Sequence, residues 1–430
     1  MNLKALIRKL ARGPALRGLE TTFRTGRGLF WQTRYGFPAR GMRVIAITGT
    51  NGKTTTASYI NKMLQSASQT TAVLTTAYYE INGEYKPNRT HQTIDKQSIV
   101  QKFFNDARAA GVDWVILEVT SHALDQGRID GVAVEIAVMT NLTQEHLDYH
   151  RTMERYAAAK ARLFGARYKT KWSILNADDP WFNYFSDRST GSVISYGENP
   201  KADLRLTTYD LSGHGSSLTA RYGKEHLAFT SKLIGKFNAY NALAAYGVGI
   251  AAGLDKKIIG EGIATLESVA GRMEQVNAGQ KFNVIVDYAY TPDALENVLT
   301  ALQEITKGKV IIVFGATGDR DKTKRAPMGA VVAKRADRIF LTDDETYSED
   351  PTAIRQQVYE GIKQAKAEAK TTIVDDRRSA IQQAFAAAKP ADTVLLTGIG
   401  HQDYRDMGGR HEPWDEREVA REEIAIISQK

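Results

Sequence analysis

Residues 44–56 read VIAITGTNGKTTT, and the reading of this stretch decides the fold. The apolar residues of 44–48 make a buried strand, glycines at 49 and 52 make a tight turn, and a helix opens at Lys53. A strand–glycine turn–helix unit directs backbone N–H groups at one point, which suits phosphate oxygens. Gly49, Thr50, Asn51, Gly52 and Thr55 form the cradle, Lys53 reaches the β- and γ-phosphates of ATP, and Thr54 holds Mg²⁺. The general phosphate-loop pattern has glycine at position 47; here Ile47 stands there, so the loop is a variant.

Working outward, strand-like runs recur at 114–118, 136–140 and 172–176, separated by helical stretches. The alternation predicts a mostly parallel sheet covered by helices. Between 193 and 233 short alternating runs at 203–208, 217–222 and 225–230 predict a small antiparallel sheet, followed by a helix over 238–252. A second alternation starts near Gly271, with strands expected at 284–287, 310–314, 338–342, 371–374 and 393–397. The fold class is α/β. A central nucleotide-binding domain (44–270) precedes a Rossmann-like C-terminal α/β domain (271–430), with a hinge near Ala270.

The net charge of +8 is uneven. Residues 1–43 hold ten Lys/Arg against one acid, Glu20, while the remainder is near neutral. Nucleic-acid binding is not expected, because the catalytic body lacks the basic excess it requires. Leu3, Leu6, Ile7 and Leu10 follow helical spacing among basic residues, so residues 1–43 read as a basic amphipathic segment. Such a segment lies on an anionic membrane surface or packs on the catalytic body. No run of about 18 apolar residues exists, and no signal peptide is evident. With zero cysteines, disulfides and thiolate chemistry are excluded and a reducing cytoplasm is expected.

Seven strings follow the loop in order: LEVTSHALDQGRIDG (117–131), TNLTQEHLDYH (140–150), AAAKARLF (157–164), GKFNAYNALAA (235–245), GRMEQV (271–276), DYAYTPDALENVL (287–299) and GATGDRDKTKRAPMG (315–329). Together with the variant loop they resemble the Mur ligase superfamily, in particular its UDP-N-acetylmuramoyl-tripeptide synthetase (MurE-type) branch, over roughly residues 44–430. The resemblance implies an ATP-dependent amide ligase of cell-wall precursor synthesis. A muramoyl-peptide carboxylate becomes an acyl phosphate, which the amine of an amino acid attacks.

The same resemblance implies roles. Glu118, His146 and Lys160 join Thr54 as metal ligands, Lys160 being carbamylated. Lys53, Lys160, His146 and Arg272 carry the catalysis, and Arg272 is aimed at the γ-phosphate. Asn241 contacts adenine, Asp287 contacts the nucleotide, and Tyr290, where the family has histidine, covers the base. Gln92, Thr93, Thr120, Gln126 and Arg128 hold the muramoyl-peptide. Asp344, Tyr347, Gly398, Gln402 and Arg320 form the amino-acid pocket, with Arg320 on the α-carboxylate.

Two departures from the family pattern stand out. The family has about 100 residues before the loop, forming a uridine-binding domain; here about 45 precede it. Either the nucleotide is held by less, a partner supplies the grip, or the acceptor is not nucleotide-linked, a lipid-linked acceptor being one form of the last. Diaminopimelate-adding relatives carry Asp-Asn-Pro-Arg, which is Asp344-Glu345-Thr346-Tyr347 here, and the Glu of their Gly-Lys-Gly-His-Glu is Gln402. Weak use of meso-diaminopimelate is expected, with Glu345 or Asp403 receiving a distal ammonium. Competing readings are a folylpolyglutamate synthase-like ligase and a non-catalytic scaffold that binds ATP and wall peptide. The second is disfavoured by the joint retention of Lys53, Glu118, His146 and Lys160.

Overall fold

The computed structural model describes residues 26–428 except 91, 95 and 214. The amphipathic helix expected over residues 3–10 lies outside the described residues.

Eleven strands form one sheet: β1 (Arg43–Thr48), β2 (Thr71–Leu74), β3 (Tyr78–Ile81), β4 (Glu84–Pro87), β5 (Trp114–Glu118), β6 (Ile136–Met139), β7 (Trp172–Asn176), β8 (Ser192–Gly197), β9 (Leu204–Ser212), β10 (Gly215–Tyr222) and β11 (Glu225–Ser231). Their order is β11-β10-β9-β8-β7-β6-β1-β5-β2-β3-β4. β1 lies at the centre, parallel to β5 and β6. Its alternate side chains enter two cores. Ile45 and Ile47 pack with helices α1 (Lys53–Ser66) and α4 (Lys236–Ala251) on one face. Val44 and Ala46 pack with α2 (Gln97–Ala109) and α3 (Met153–Ala161) on the other. A central parallel strand must be apolar on both faces, which is why this stretch is a continuous hydrophobic run.

The expected small antiparallel sheet is present as strands but not as a separate sheet. β9, β10 and β11 pair antiparallel, yet β9 also joins β8 in parallel through Tyr196↔Leu204 and Gly197↔Arg205. Leu204, Leu206, Leu218 and Ala220 share the main core, so burial draws this hairpin array onto the sheet edge.

A second, six-stranded sheet follows. It comprises β12 (Glu274–Gln275), β13 (Asn283–Asp287), β14 (Val310–Phe314), β15 (Arg338–Leu341), β16 (Thr371–Ile373) and β17 (Thr393–Thr397), in the order β12-β13-β17-β14-β15-β16. β18 (Tyr404–Met407) and β19 (Arg410–Pro413) form a separate hairpin. All five strands expected in this half exist, within one residue at each end.

Residues 26–34 form a helix that packs on the body. Gln32 Nε2 donates to the Asp130 carbonyl at 2.9 Å, and Arg108 donates to the carbonyls of Tyr35 and Gly36 at 3.3 Å each. No helix among the described residues is long and apolar enough to cross a membrane.

Candidate active site

The carboxyl ends of β1, β5 and β6 open into a cleft of about 780 Å³ that is also walled by the second half of the chain. Crevices at the carboxyl ends of parallel strands are where α/β proteins place their ligands. Of the site residues expected from sequence, all but Gln126, Asp344 and the alternative Asp403 line it.

The loop after β1 is held from below. Thr140 Oγ1 donates to the Asn51 carbonyl at 2.7 Å, and Asn141 Oδ1 accepts from the Asn51 N–H at 2.9 Å. Gly49 (φ 147°) and Gly52 (φ 82°) lie in the left-handed region, and a Cβ at either would overlap Thr140 Oγ1 or Asn241 Oδ1 respectively. Glycine is required there by contact as well as by φ. Lys53 Nζ donates to the Thr50 carbonyl at 2.7 Å, and burial lowers its pKa against the pull of Glu118.

Thr54 Oγ1 donates to Glu118 Oε2 at 2.7 Å. The same oxygen accepts from Thr76 N–H at 3.1 Å, and Oε1 accepts from Thr76 Oγ1 at 2.9 Å. Lys160, on α3, is 1% exposed; its Nζ donates to the Gly49 carbonyl at 2.7 Å. Burial, then the nearby Lys53, push its pKa well below the usual lysine value. His146 sits in a left-handed turn (φ 57°), its ring 4.7 Å from that of His122. Burial disfavours protonation of both: it holds His146 well below its usual pKa and lowers His122 to about 4.

From the second half, Arg272 Nη2 reaches Thr54 Oγ1 at 3.5 Å, with its guanidinium 4.6 Å from the Tyr288 ring centre. Asp287 ends β13 and accepts the Met273 N–H at 2.7 Å; burial raises its pKa to about 6. Asn241 is buried, accepting from Thr56 Oγ1 at 3.3 Å. Tyr290 lines the cleft, and its ring also carries the Lys324 ammonium at 4.6 Å.

On the far wall, Thr93 hydrogen-bonds Thr76, Arg128 donates to the Ile94 carbonyl, and Gln92, Thr93 and Arg128 all line the cleft. Thr120 Oγ1 accepts the Ala123 N–H at 3.2 Å and caps the short helix after β5. Gln126 does not line the cleft. Its Oε1 accepts from Arg128 Nη2 at 2.8 Å and Nε at 3.2 Å, so it orients that arginine. Asp344 lies beneath the wall, 2% exposed; a Cβ on Gly398 would overlap its carboxylate. Adjacent to it, Glu345 does face the cleft, with Gln402 Nε2 donating to its Oε2 at 3.1 Å and Tyr347 OH 3.5 Å away. Arg320 stacks on Tyr347 at 4.8 Å. Asp403, the other carboxylate considered from sequence, instead pairs with Arg89 at 3.2 Å.

Glu145, His122 and Thr76 escaped the sequence reading although they line the cleft. The signal for the first was its position beside His146, and for the second its place in the SHALD helix after β5. Thr76 follows a strand too short to stand out.

Comparison with known proteins agrees with this geometry. Family models for the Mur ligase middle domain and the Mur ligase glutamate ligase domain match residues 47–249 and 271–400. A UDP-N-acetylmuramoyl-L-alanyl-D-glutamate–2,6-diaminopimelate ligase of Syntrophomonas wolfei is 40% identical over 390 residues, 90% of this chain and 79% of that protein. The enzyme of the same name from a Nostoc species is 41% identical over 391 residues, 90% and 78% of the two chains. A solved structure of such a ligase superposes with a TM-score of 0.64 at 32% identity, covering 94% of this chain and 82% of that one. Mycobacterium tuberculosis folylpolyglutamate synthase gives a TM-score of 0.71 at 18% identity, covering 87% and 92%, a likeness of fold alone. The chain belongs to the Mur ligase family of ATP-dependent amide ligases.

Proposed function

We propose that this ligase uses ATP to activate the terminal carboxylate of a muramoyl-peptide and joins it to an amino acid that carries a distal cation but no distal carboxylate. The observation that carries the reading is a single cleft shared by the phosphate loop, the Glu118–His146–Lys160 group, Arg272 and the Arg320–Glu345–Tyr347 wall. The relatives' names specify diaminopimelate. Here the arginine of their motif is Tyr347, and the buried carboxylate of Glu345 in the same stretch faces the cleft. A desolvated carboxylate favours a cationic partner and disfavours a second carboxylate.

The chain works as two bodies, 44–270 and 271–430, that close on their substrates. Lys53 and Arg272 face the phosphates, and Asn241, Asp287 and Tyr290 face the nucleoside. The acceptor carboxylate attacks the γ-phosphorus and ADP leaves. The amine then attacks the acyl carbon, loses a proton, and expels phosphate. Gln92, Thr93, Thr120 and Arg128 hold the acceptor, while Arg320 and Glu345 fix the amino acid so that its amine meets the acyl carbon. Thr54, Glu118, His146 and Lys160 are the donors for magnesium, which when bound neutralises phosphate charge.

Among the described residues no three His, Asp or Glu side chains form a ready metal cluster. A carbamate on Lys160 supplies the missing carboxylate. Its burial favours the neutral form of the amine, which addition to carbon dioxide requires. Labelling with ¹³C-carbon dioxide and observing a carbamate resonance that Lys160→Arg lacks tests this; its absence from the unmodified chain refutes it.

The ligase acts in the cytoplasm, at the inner membrane surface. Exposed Leu29 and Phe30 (55% and 59%) flanked by Arg27 and Arg34 support contact with anionic lipid there. Co-sedimentation with phosphatidylglycerol vesicles should drop in Leu29→Ser/Phe30→Ser; equal binding removes this point.

The deciding experiment is mass spectrometry of products from ATP, nucleotide- and lipid-linked muramoyl-dipeptides and a mixture of amino acids. A product one cationic residue larger is expected. Exclusive addition of meso-diaminopimelate would sink the amino-acid assignment, and no product would sink the reaction.

A further inference from the structure

Helix 26–34 lies behind the acceptor wall, on the outside of residues 127–131. Gln97, the first residue of α2, is 2% exposed and spans the junction. Its Nε2 donates to the Gly127 carbonyl at 2.8 Å, and its Oε1 accepts from Arg27 Nε at 3.4 Å. Gly28 is buried against this amide; a Cβ there would sit 2.7 Å from Gln97 Nε2. One helical turn after Gly28, Gln32 Nε2 donates to the Asp130 carbonyl at 2.9 Å. Two glutamine amides therefore hold the carbonyls of residues 127 and 130, and Arg128 lies between them.

Arg128 faces the cleft, whereas Gln97 and Gln32 do not line it. The guanidinium of Arg128 is set by Gln126 Oε1 and the Ile94 carbonyl. Its backbone is set by the bracket from behind. A peptide free to rotate at 127 or 130 swings the arginine off its acceptor, and a displacement of about 1 Å is costly at a charged contact.

We propose that Gln97 and Gln32 are positioning residues for Arg128, and that the segment 26–40 is thereby a structural wall of the acceptor site. This rests on the assignment of Arg128 to the muramoyl-peptide. Because the bracket touches neither the phosphate loop nor the Arg320–Glu345 wall, its effect is confined to one of the three substrates.

The test is steady-state kinetics of the full chain with each substrate varied in turn. Gln97→Met and Gln32→Met keep volume and remove the amide. Each should raise the acceptor KM about tenfold, with kcat and the KM values for ATP and the amino acid within about twofold. Gln32→Lys, which keeps a donor, should restore most of the loss. Gln32 is only half-buried, so its variant remains measurable if Gln97→Met fails to fold. An unchanged acceptor KM in both, with a raised one in Arg128→Ala, overturns the positioning role alone. An unchanged KM in all three overturns the acceptor assignment with it. Equal changes in all three KM values also overturn the proposal.

Discussion

Lys324 and Glu145 meet across the two halves of the chain, Nζ to Oε1 at 3.3 Å, with both side chains almost fully buried. The lysine ammonium rests on Tyr290, and the second carboxylate oxygen of Glu145 has no hydrogen-bond partner. Removing one member leaves a buried charge unpaired, which costs about 3–5 kcal/mol; removing both costs less. Lys324→Met should lower the melting temperature sharply, and Lys324→Met/Glu145→Gln should recover at least half of the loss. A double-mutant cycle by thermal melting measures this, and strictly additive losses would refute the coupling.

The phosphate loop admits no side chain at its two glycines. Gly52→Ala forces a Cβ onto Asn241 Oδ1 at a φ of 82°. ATP affinity should fall at least tenfold, about 1.4 kcal/mol, with little change in acceptor affinity. Calorimetric titration of each ligand reads both, and native ATP affinity would show that the loop adapts.

Asp287 and Asp344 should make ligand-free stability fall with rising pH. Burial raises each to about 6 from the usual 3.8, so the folded chain holds these protons more tightly than the unfolded chain. The contribution is fully present below pH 3.8 and is lost as pH rises through about 6. Its size is about 3 kcal/mol each as an order of magnitude. Glu349, held near 2 chiefly by the hydrogen bonds of Arg325, works in the opposite sense, losing stability as pH falls below 4.5. The check is therefore a difference. Asp287→Asn and Asp344→Asn should each gain stability relative to the unchanged chain between pH 4 and 7. Superimposable profiles would contradict the direction.

Tyr347→Arg with Gln402→Glu rebuilds the polar pair of the diaminopimelate motif around Glu345. Use of meso-diaminopimelate should rise at least tenfold in kcat/KM, while Glu345→Gln in the original chain should depress use of amino acids with a distal ammonium. Competitive turnover decides; a swap without effect places selectivity elsewhere.

Strands at 114–118, 172–176, 310–314 and 393–397 were legible to the residue, because their centres are buried on both faces and mostly apolar. β3 and β4 escaped notice since YYEI and EYKP face solvent in part and carry too little apolar signal. Residues singled out on loops after strands from motif order do meet at one cleft. Gln126 and Asp344 lie one layer behind the cleft, beside Arg128 and Glu345 that line it, and spacing does not reveal which of two near neighbours points inward. The bracket of Gln97 and Gln32 was invisible, as it joins segments about 70 and 98 residues apart along the chain.

The central place of β1 has a consequence for how the chain matures. Arg43 pairs with Trp114 and Ile45 with Ile136, so the earliest strand of the large sheet acquires its two neighbours long after its own synthesis. Until then a run of five buried residues has both edges bare. A nascent or truncated chain ending before residue 136 should therefore be a chaperone client and an aggregation risk, and nucleotide binding should appear late in refolding, as a delayed step rather than an early nucleus.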